Sequence, residues 1–97
     1  MIEHLVLFKI KAGTDATTIS LILKQQKALQ TQVPGITAVT IGQNFSERGA
    51  GFTHCGRLCF DDRASLDAFY PHPAHQAFKA LLQPAIDSLL VIDYEAS

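Results

Sequence analysis

The sequence predicts an α+β fold: a four-stranded antiparallel sheet with helices on one face, in the order βαββαβ. Three observations predict it. Four short segments are dense in β-branched, aromatic and aliphatic residues and alternate with the period of a strand. Two longer stretches between them carry apolar residues at helical spacing. Pro and Gly fall at the junctions. A chain of 97 residues has room for one domain, taken as residues 1–97.

Ile2 to Lys11 reads as the first strand, with His4, Val6, Phe8 and Ile10 on one face and Leu5 and Leu7 on the other. Both faces are apolar at its centre, so neither side of the sheet is expected to meet water. Thr14 or Asp15 is the expected N-cap of a helix reaching to about Gln32. Its apolar stripe is Ile19, Ile22, Leu23 and Leu29, and Lys24, Gln25, Lys27 and Gln30 cover the solvent side. Pro34-Gly35 ends that connection, Ile36 to Ile41 is the second strand, and Gly42 to Gly51 is a polar loop whose tip, Glu47-Arg48, reads as a solvated turn. The third strand, Phe52 to Phe60, places Phe52, His54, Gly56, Leu58 and Phe60 on one face and Thr53, Cys55, Arg57 and Cys59 on the other. Asp61 or Asp62 caps a short helix through about Tyr70. Pro71 and Pro73 interrupt it, and a second segment from about Ala74 presents Phe78, Leu81 and Leu82. Pro84 ends that helix, and Leu89 to Tyr94 forms the last strand.

This order is the ferredoxin-like pattern, in which helices cover one face of the sheet. The other face is expected to carry Val6, Phe8, Leu58 and Val91. Hydrophobic residues make up 47% of the chain and charged residues only 18%, which is apolar for a domain this small and points to a partner that covers exposed surface. The simplest partner is a second copy, two open faces closing a dimeric α/β barrel. The net charge of −1, a pI near 6.4 and scattered Lys and Arg give no footprint for nucleic acid or anionic membrane. No apolar run reaches membrane-spanning length and no signal-peptide pattern is present, so a cytoplasmic location is expected. Cys55 and Cys59 share a strand face two pleats apart, too far for a disulfide, and read as small buried hydrophobes.

The polar residues on the expected barrel face suggest a pocket. His4, His54 and Asp93 fall in register with its apolar residues, and Gly56 removes a side chain where a small hydrophobic ligand could sit. Tyr70, Phe78 and Val91 complete the expected lining, with Val6, Phe8 and Leu58. His72-Pro73-Ala74-His75 stands just ahead of the last helix, where His75 could lean toward Asp93. A helix N-terminus disfavours the charged form of His75, as suits a neutral general base; the residue reads equally as a helix-start histidine bonded to a backbone carbonyl. Asp93 either orients that imidazole or is a strand-end carboxylate in water. His4 and His54 read as satisfied core or rim histidines, and His72, between two prolines, as the anchor of the turn. His72, His75 and Asp93 would be a minimal zinc shell, but Pro73 breaks the helical spacing and no further Cys or Glu sits at ligand distance. No metal or other cofactor is expected, and no phosphate loop, nucleophile elbow or catalytic carboxylate pair appears.

Taken in order, His4-Leu5-Val6-Leu7-Phe8-Lys9, Val33-Pro34-Gly35-Ile36, Gly42 with Asn44, Gly51-Phe52-Thr53-His54, Phe60-Asp61-Asp62, His72-Pro73-Ala74-His75 and Ile92-Asp93-Tyr94 resemble the stress-responsive dimeric alpha/beta barrel (Dabb) family along the whole chain. The resemblance implies a ferredoxin-like protomer and a homodimer whose sheets form a barrel. Most such proteins have no established activity, and some are heat-stable proteins that accumulate under stress. One plant branch cyclises polyketides by aldol condensation without cofactor or metal, using a His at the position of His75 with a Tyr in the preceding helix. Polar residues matching His4, His54 and Asp93 line its pocket. Here the Tyr position falls on Phe69, and Tyr70, one residue later, is expected to point elsewhere. Two functions follow as expectations. One is a stable homodimer binding a small hydrophobic ligand. The other is a cofactor-independent cyclase or lyase, in which His75 takes a proton alpha to a carbonyl, Asp93 orients the ring, and His4, His54 or Tyr70 polarises the oxygen.

Overall fold

The computed structural model describes residues 1–97. Its strands are β1 (Ile2–Ile10), β2 (Ile36–Gln43), β3 (His54–Phe60) and β4 (Ile86–Glu95). Between them run α1 (Ala16–Gln32), α2 (Arg63–Phe69) and α3 (Pro73–Leu82), and one 3₁₀ turn, Gln83–Ala85, leads into β4. The strands pair antiparallel in the spatial order β2-β3-β1-β4, the ferredoxin-like layout.

Local chemistry explains the element ends. The Asp15 carboxylate accepts from Thr18 N–H at 2.7 Å and starts α1; the Asp62 carboxylate accepts from Ser65 N–H at 2.8 Å and starts α2. Each satisfies an orphan amide of a helix's first turn. Gly35 turns the chain into β2 with a φ of 90°, and a side chain there would collide with Ser65. Three elements differ from the sequence reading. β2 runs on to Gln43, β3 begins at His54 rather than Phe52, and β4 begins at Ile86 rather than Leu89. β4 starts early because the Pro84 turn hands the chain straight back into register with Ile10.

The faces of the sheet are reversed from the expectation. Val6, Phe8 and Leu58 lie under the helices, in one core with Ile22, Leu29, Phe60, Phe69, Phe78 and Leu82. Val91 pairs with Val6, His4 with Asp93 and Leu58, and Phe8 with His54, so these residues share that helix-covered side. The open face carries Leu5, Leu7, Cys55, Leu90, Ile92 and Tyr94. The physical reason is charge. Glu3, Lys9 and Arg57 fall on the open face, and helices packed over them would strand ions in the core. Arg57 remains 45% exposed while it donates to Glu3 at 2.8 Å, and the Cys59 thiol donates to the same carboxylate at 3.2 Å. Together they hold the Glu3 carboxyl below its usual range, the Arg57 bond being the larger cause. Both cysteines are free. No helix is long and apolar enough to cross a membrane.

The core side chains contribute most of the stabilisation. Phe8 and Phe60 are fully buried, each worth roughly 2 kcal/mol over exposure. β4 is the exception to this coverage. Leu89 and Val91 are exposed because no helix reaches fully across the edge of the sheet, and Leu90 and Ile92 because they lie on its open face.

Candidate functional site

Incomplete coverage of β4 leaves a cavity of about 170 Å³ between sheet and helices, and ten of its fifteen lining residues are hydrophobic. Val6 and Leu58 form its floor; Leu29, Phe78 and Leu82 its roof; Leu89 and Val91 its mouth. It lies within one protomer rather than inside a barrel between two. Its volume suits a ligand built around one ring: an apolar cavity of about 150 Å³ is enough to take benzene.

At one end stands a chain of polar groups. His4 is buried and meets Phe60, Phe69 and Tyr70 edge-on. Its Nδ1–H donates to Asp93 Oδ1 at 2.5 Å, the cross-strand partner that the sheet register places beside it. Asp93 Oδ2 accepts the Tyr70 hydroxyl proton, also at 2.5 Å. Burial, the bond to Asp93 and its charge together push the Tyr70 phenol far above its usual range, so it stays neutral.

His75 is held differently from the expectation. Its Nδ1 lies 3.0 Å from the Tyr70 backbone carbonyl, which can only accept, so Nδ1 carries a proton and Nε2 keeps its lone pair. The sequence paired His75 with Asp93; the structure gives Asp93 to His4 and Tyr70 instead. The reason is topological, since Asp93 sits directly opposite His4 in the ladder while His75 rides on α3. Burial pushes the His75 imidazole below its ordinary value, against the raising effect of the Tyr70 carbonyl, and Lys79 and His4 add to the lowering. The ring packs on Phe69 with centroids 4.1 Å apart.

Tyr70 is also corrected. It caps the end of α2 and turns its ring toward Asp93 and the cavity rather than away. Pro71 ends the helix there, so helical periodicity does not fix where that side chain points. His72 anchors the turn: its Nδ1 accepts from Ala74 N–H at 3.0 Å and caps α3, with Pro73 at the first helical position.

Three expected pocket residues stand apart. Phe8 is core, stacked on His54 with ring centroids 5.5 Å apart. His54 Nδ1 bonds Thr53 Oγ1 at 2.8 Å; burial lowers its pKa, and it borders a wider, mostly polar groove along β2 rather than the apolar cavity. Gly56 does remove a side chain, but the space is filled by the Gln26 amide. Of the expected residues the cavity therefore gathers His4, Val6, Leu58, Tyr70, His75, Phe78 and Val91, with Asp93 behind His4 and Tyr70. No group of three or more His, Cys, Asp or Glu is placed to hold a metal ion.

Gln26 is the lining residue the sequence reading missed. It is 1% exposed and lies between Ile22 and Leu29 in the buried stripe of α1. The signal was the gap in that stripe: Gln26 stands seven residues after Ile19, four after Ile22, three after Leu23 and three before Leu29, on the line those residues trace.

Comparison with known proteins agrees with this architecture. Residues 2–96 match the Stress Responsive A/B Barrel Domain, Dabb. A stress-response A/B barrel domain-containing protein of Arabidopsis thaliana is 28% identical over 95% of this chain and 83% of its own. The olivetolic acid cyclase of Cannabis sativa is 23% identical over 96% of this chain and 94% of its own. Among solved structures, an Arabidopsis thaliana protein superimposes with a TM-score of 0.92 at 25% identity, covering 100% of this chain and 96% of that one. A dimeric ferredoxin-like protein of unknown function from Jannaschia superimposes at 0.84 with 26% identity, covering 98% of both chains. The hydroxynitrile lyase of Passiflora edulis shares the fold at 0.89 and 24% identity, covering 96% of this chain and 90% of that one. The family match spans every strand and helix that builds the cavity, and the chain belongs to the stress responsive A/B barrel domain family.

Proposed function

We propose that the chain is a homodimer, paired through the open face of its sheet, that takes a small hydrophobic carbonyl compound into the cavity and moves a proton with His75. The observation that carries this reading is His75 itself. Its Nδ1–H is committed to a backbone carbonyl, its Nε2 lone pair is free, burial keeps the ring neutral, and it lines an apolar cavity. Olivetolic acid cyclase among the relatives supports the direction, as does the dimeric neighbour for the assembly. The exposed Leu5-side face, with Leu90, Ile92 and Tyr94, supplies the apolar area that pairing would cover.

In the proposed chemistry His75 Nε2 takes a proton from the carbon next to the carbonyl. The C–H electron pair moves into the enolate, whose oxygen lies at the end of the cavity where His4 and Tyr70 stand. If the enolate carbon then attacks a second carbonyl of the same molecule, a C–C bond forms. The resulting alkoxide recovers the proton from His75, so the cycle balances without cofactor or metal. His54 has no part in it.

The test needs no natural substrate. Deuterium uptake into the methyl group of acetophenone is followed by NMR in D₂O. Wild type is expected to accelerate exchange, and His75→Ala to lose about a hundredfold of that acceleration while sedimenting as the same dimer. Equal exchange by the two proteins removes the general-base assignment, and a monomeric wild type removes the assembly.

A further inference from the structure

We propose that Gln26 is a specificity residue: its buried amide oxygen selects ligands that carry a hydroxyl at the end remote from their reacting carbonyl. The inference rests on the cavity being a ligand site, as proposed above.

Gln26 Oε1 is buried and has no hydrogen-bond partner in the protein. It is the one buried side-chain nitrogen or oxygen so placed. An unmet amide oxygen is costly to a small domain, and native chains retain such groups where something else satisfies them. Gln26 is one of the residues that line the cavity. Gly56 opposite has no side chain, which lets the amide lie against the sheet. The terminal torsion of a Gln side chain is broad, so the oxygen can swing to meet a donor at little cost.

Position gives the ligand its shape. Gly56 pairs with Val6, two residues along β1 from His4 and one strand over. That offset is about 7 Å along the strand and about 5 Å across, so the Gln26 end lies about 8 Å from His4. Asp93 is one strand further on the other side of β1, at about 12 Å. The two polar ends are thus separated by the length of a single substituted ring. A carbonyl at the His4 and His75 end and a hydroxyl at the Gln26 end would satisfy both, with the ring between them against Val6, Leu58 and Phe78.

The experiment compares 4-hydroxyacetophenone with 4-methylacetophenone, which are nearly equal in volume and differ in the donor. Binding to the full chain is measured by NMR titration for wild type and for Gln26→Met, which keeps the length and removes the amide. The expected result is a preference of about tenfold for the hydroxyl compound in wild type, lost or reversed in Gln26→Met. Equal binding of the two by wild type, or a preference unchanged in Gln26→Met, overturns the role of Gln26 and leaves the cavity reading standing. Binding of neither compound overturns both. Thermal unfolding without ligand gives a second readout. Gln26→Met should melt higher, because an unpartnered oxygen has left the core; a lower Tm would mean that the oxygen is satisfied in the ligand-free protein and would overturn the proposal. Gln26→Leu repeats both readouts if Gln26→Met fails to fold.

Discussion

Gly56→Ala tests the packing that the site depends on. A Cβ built at Gly56 comes far inside contact distance of the carbon, nitrogen and oxygen of the Gln26 amide, so that amide must move. One extra methyl in a packed interior costs about 1–3 kcal/mol. Removing a glycine from a strand interior returns about 0.5–1 kcal/mol. Because the obstacle is the end of a flexible side chain beside a cavity, the strain belongs in the lower half of that range, about 1.5 kcal/mol, and less the smaller glycine gain the net loss is about 1 kcal/mol. For a chain of 97 residues that lowers Tm by about 4–8 °C. The clean measurement is a cycle of four proteins, with Gly56→Ala made in wild type and in Gln26→Ala, each melted by circular dichroism. With the amide gone, Gly56→Ala should cost nothing or stabilise by about 0.5 kcal/mol, a coupling of about 1–1.5 kcal/mol. The same Tm change in both backgrounds would refute the argument that Gln26 fills the space over Gly56.

Two further outcomes follow from the geometry. His72→Ala removes the acceptor of Ala74 N–H and should cost about 1 kcal/mol of stability by urea unfolding, whereas His72→Asn, which can cap, should recover most of it. Stability should also fall at both ends of the pH scale. His75 and His54 are held below their ordinary value of 6.5, so the folded protein binds their protons less tightly than the unfolded chain, and the stability present above that pH is lost as it falls. Tyr70 is held above its ordinary value of 10.0, so the folded protein keeps that proton more tightly, and stability is lost as pH rises beyond it. Melts of wild type and Tyr70→Phe across the range separate the limbs, since only the alkaline one should soften in the variant.

Much of the fold was legible because its signals are local. Asp15 and Asp62 cap the helices expected of them, and the alternation of β1 and β3 correctly grouped His4 with Val6 and His54 with Leu58. Alternation says which residues share a face but not which face the helices take. Both faces of β1 are apolar at its centre, and the deciding charges, Glu3 and Lys9 near its ends and Arg57 on β3, lie away from that centre. The site was legible as a set of residues and not as a set of bonds. His4 and Asp93 lie 89 residues apart, and only the register of β1 against β4 makes them neighbours. The direction of Tyr70, though not its place in the lining, was misread because it closes a helix, where spacing loses its meaning, and Gln26 was missed because a polar residue in an apolar stripe reads as a gap. The resemblance carried the family, now shown across residues 2–96.

In the lone protomer β4 lies at the rim of the sheet with Leu89, Leu90, Val91 and Ile92 in succession, each partly exposed. A run of that kind, with one row of unpaired backbone groups, is a template on which identical chains can stack into fibrils. Asp87 precedes it, and Asp93 and Glu95 follow, all exposed. Stacked copies would bring each of these carboxylates against its own image, and that repulsion is what gatekeeper residues supply. Asp93 thus accepts hydrogen bonds from His4 and Tyr70 while standing among the carboxylates that flank this run. A change that neutralises Asp93 therefore removes the acceptor of both bonds and one of the three edge charges at once.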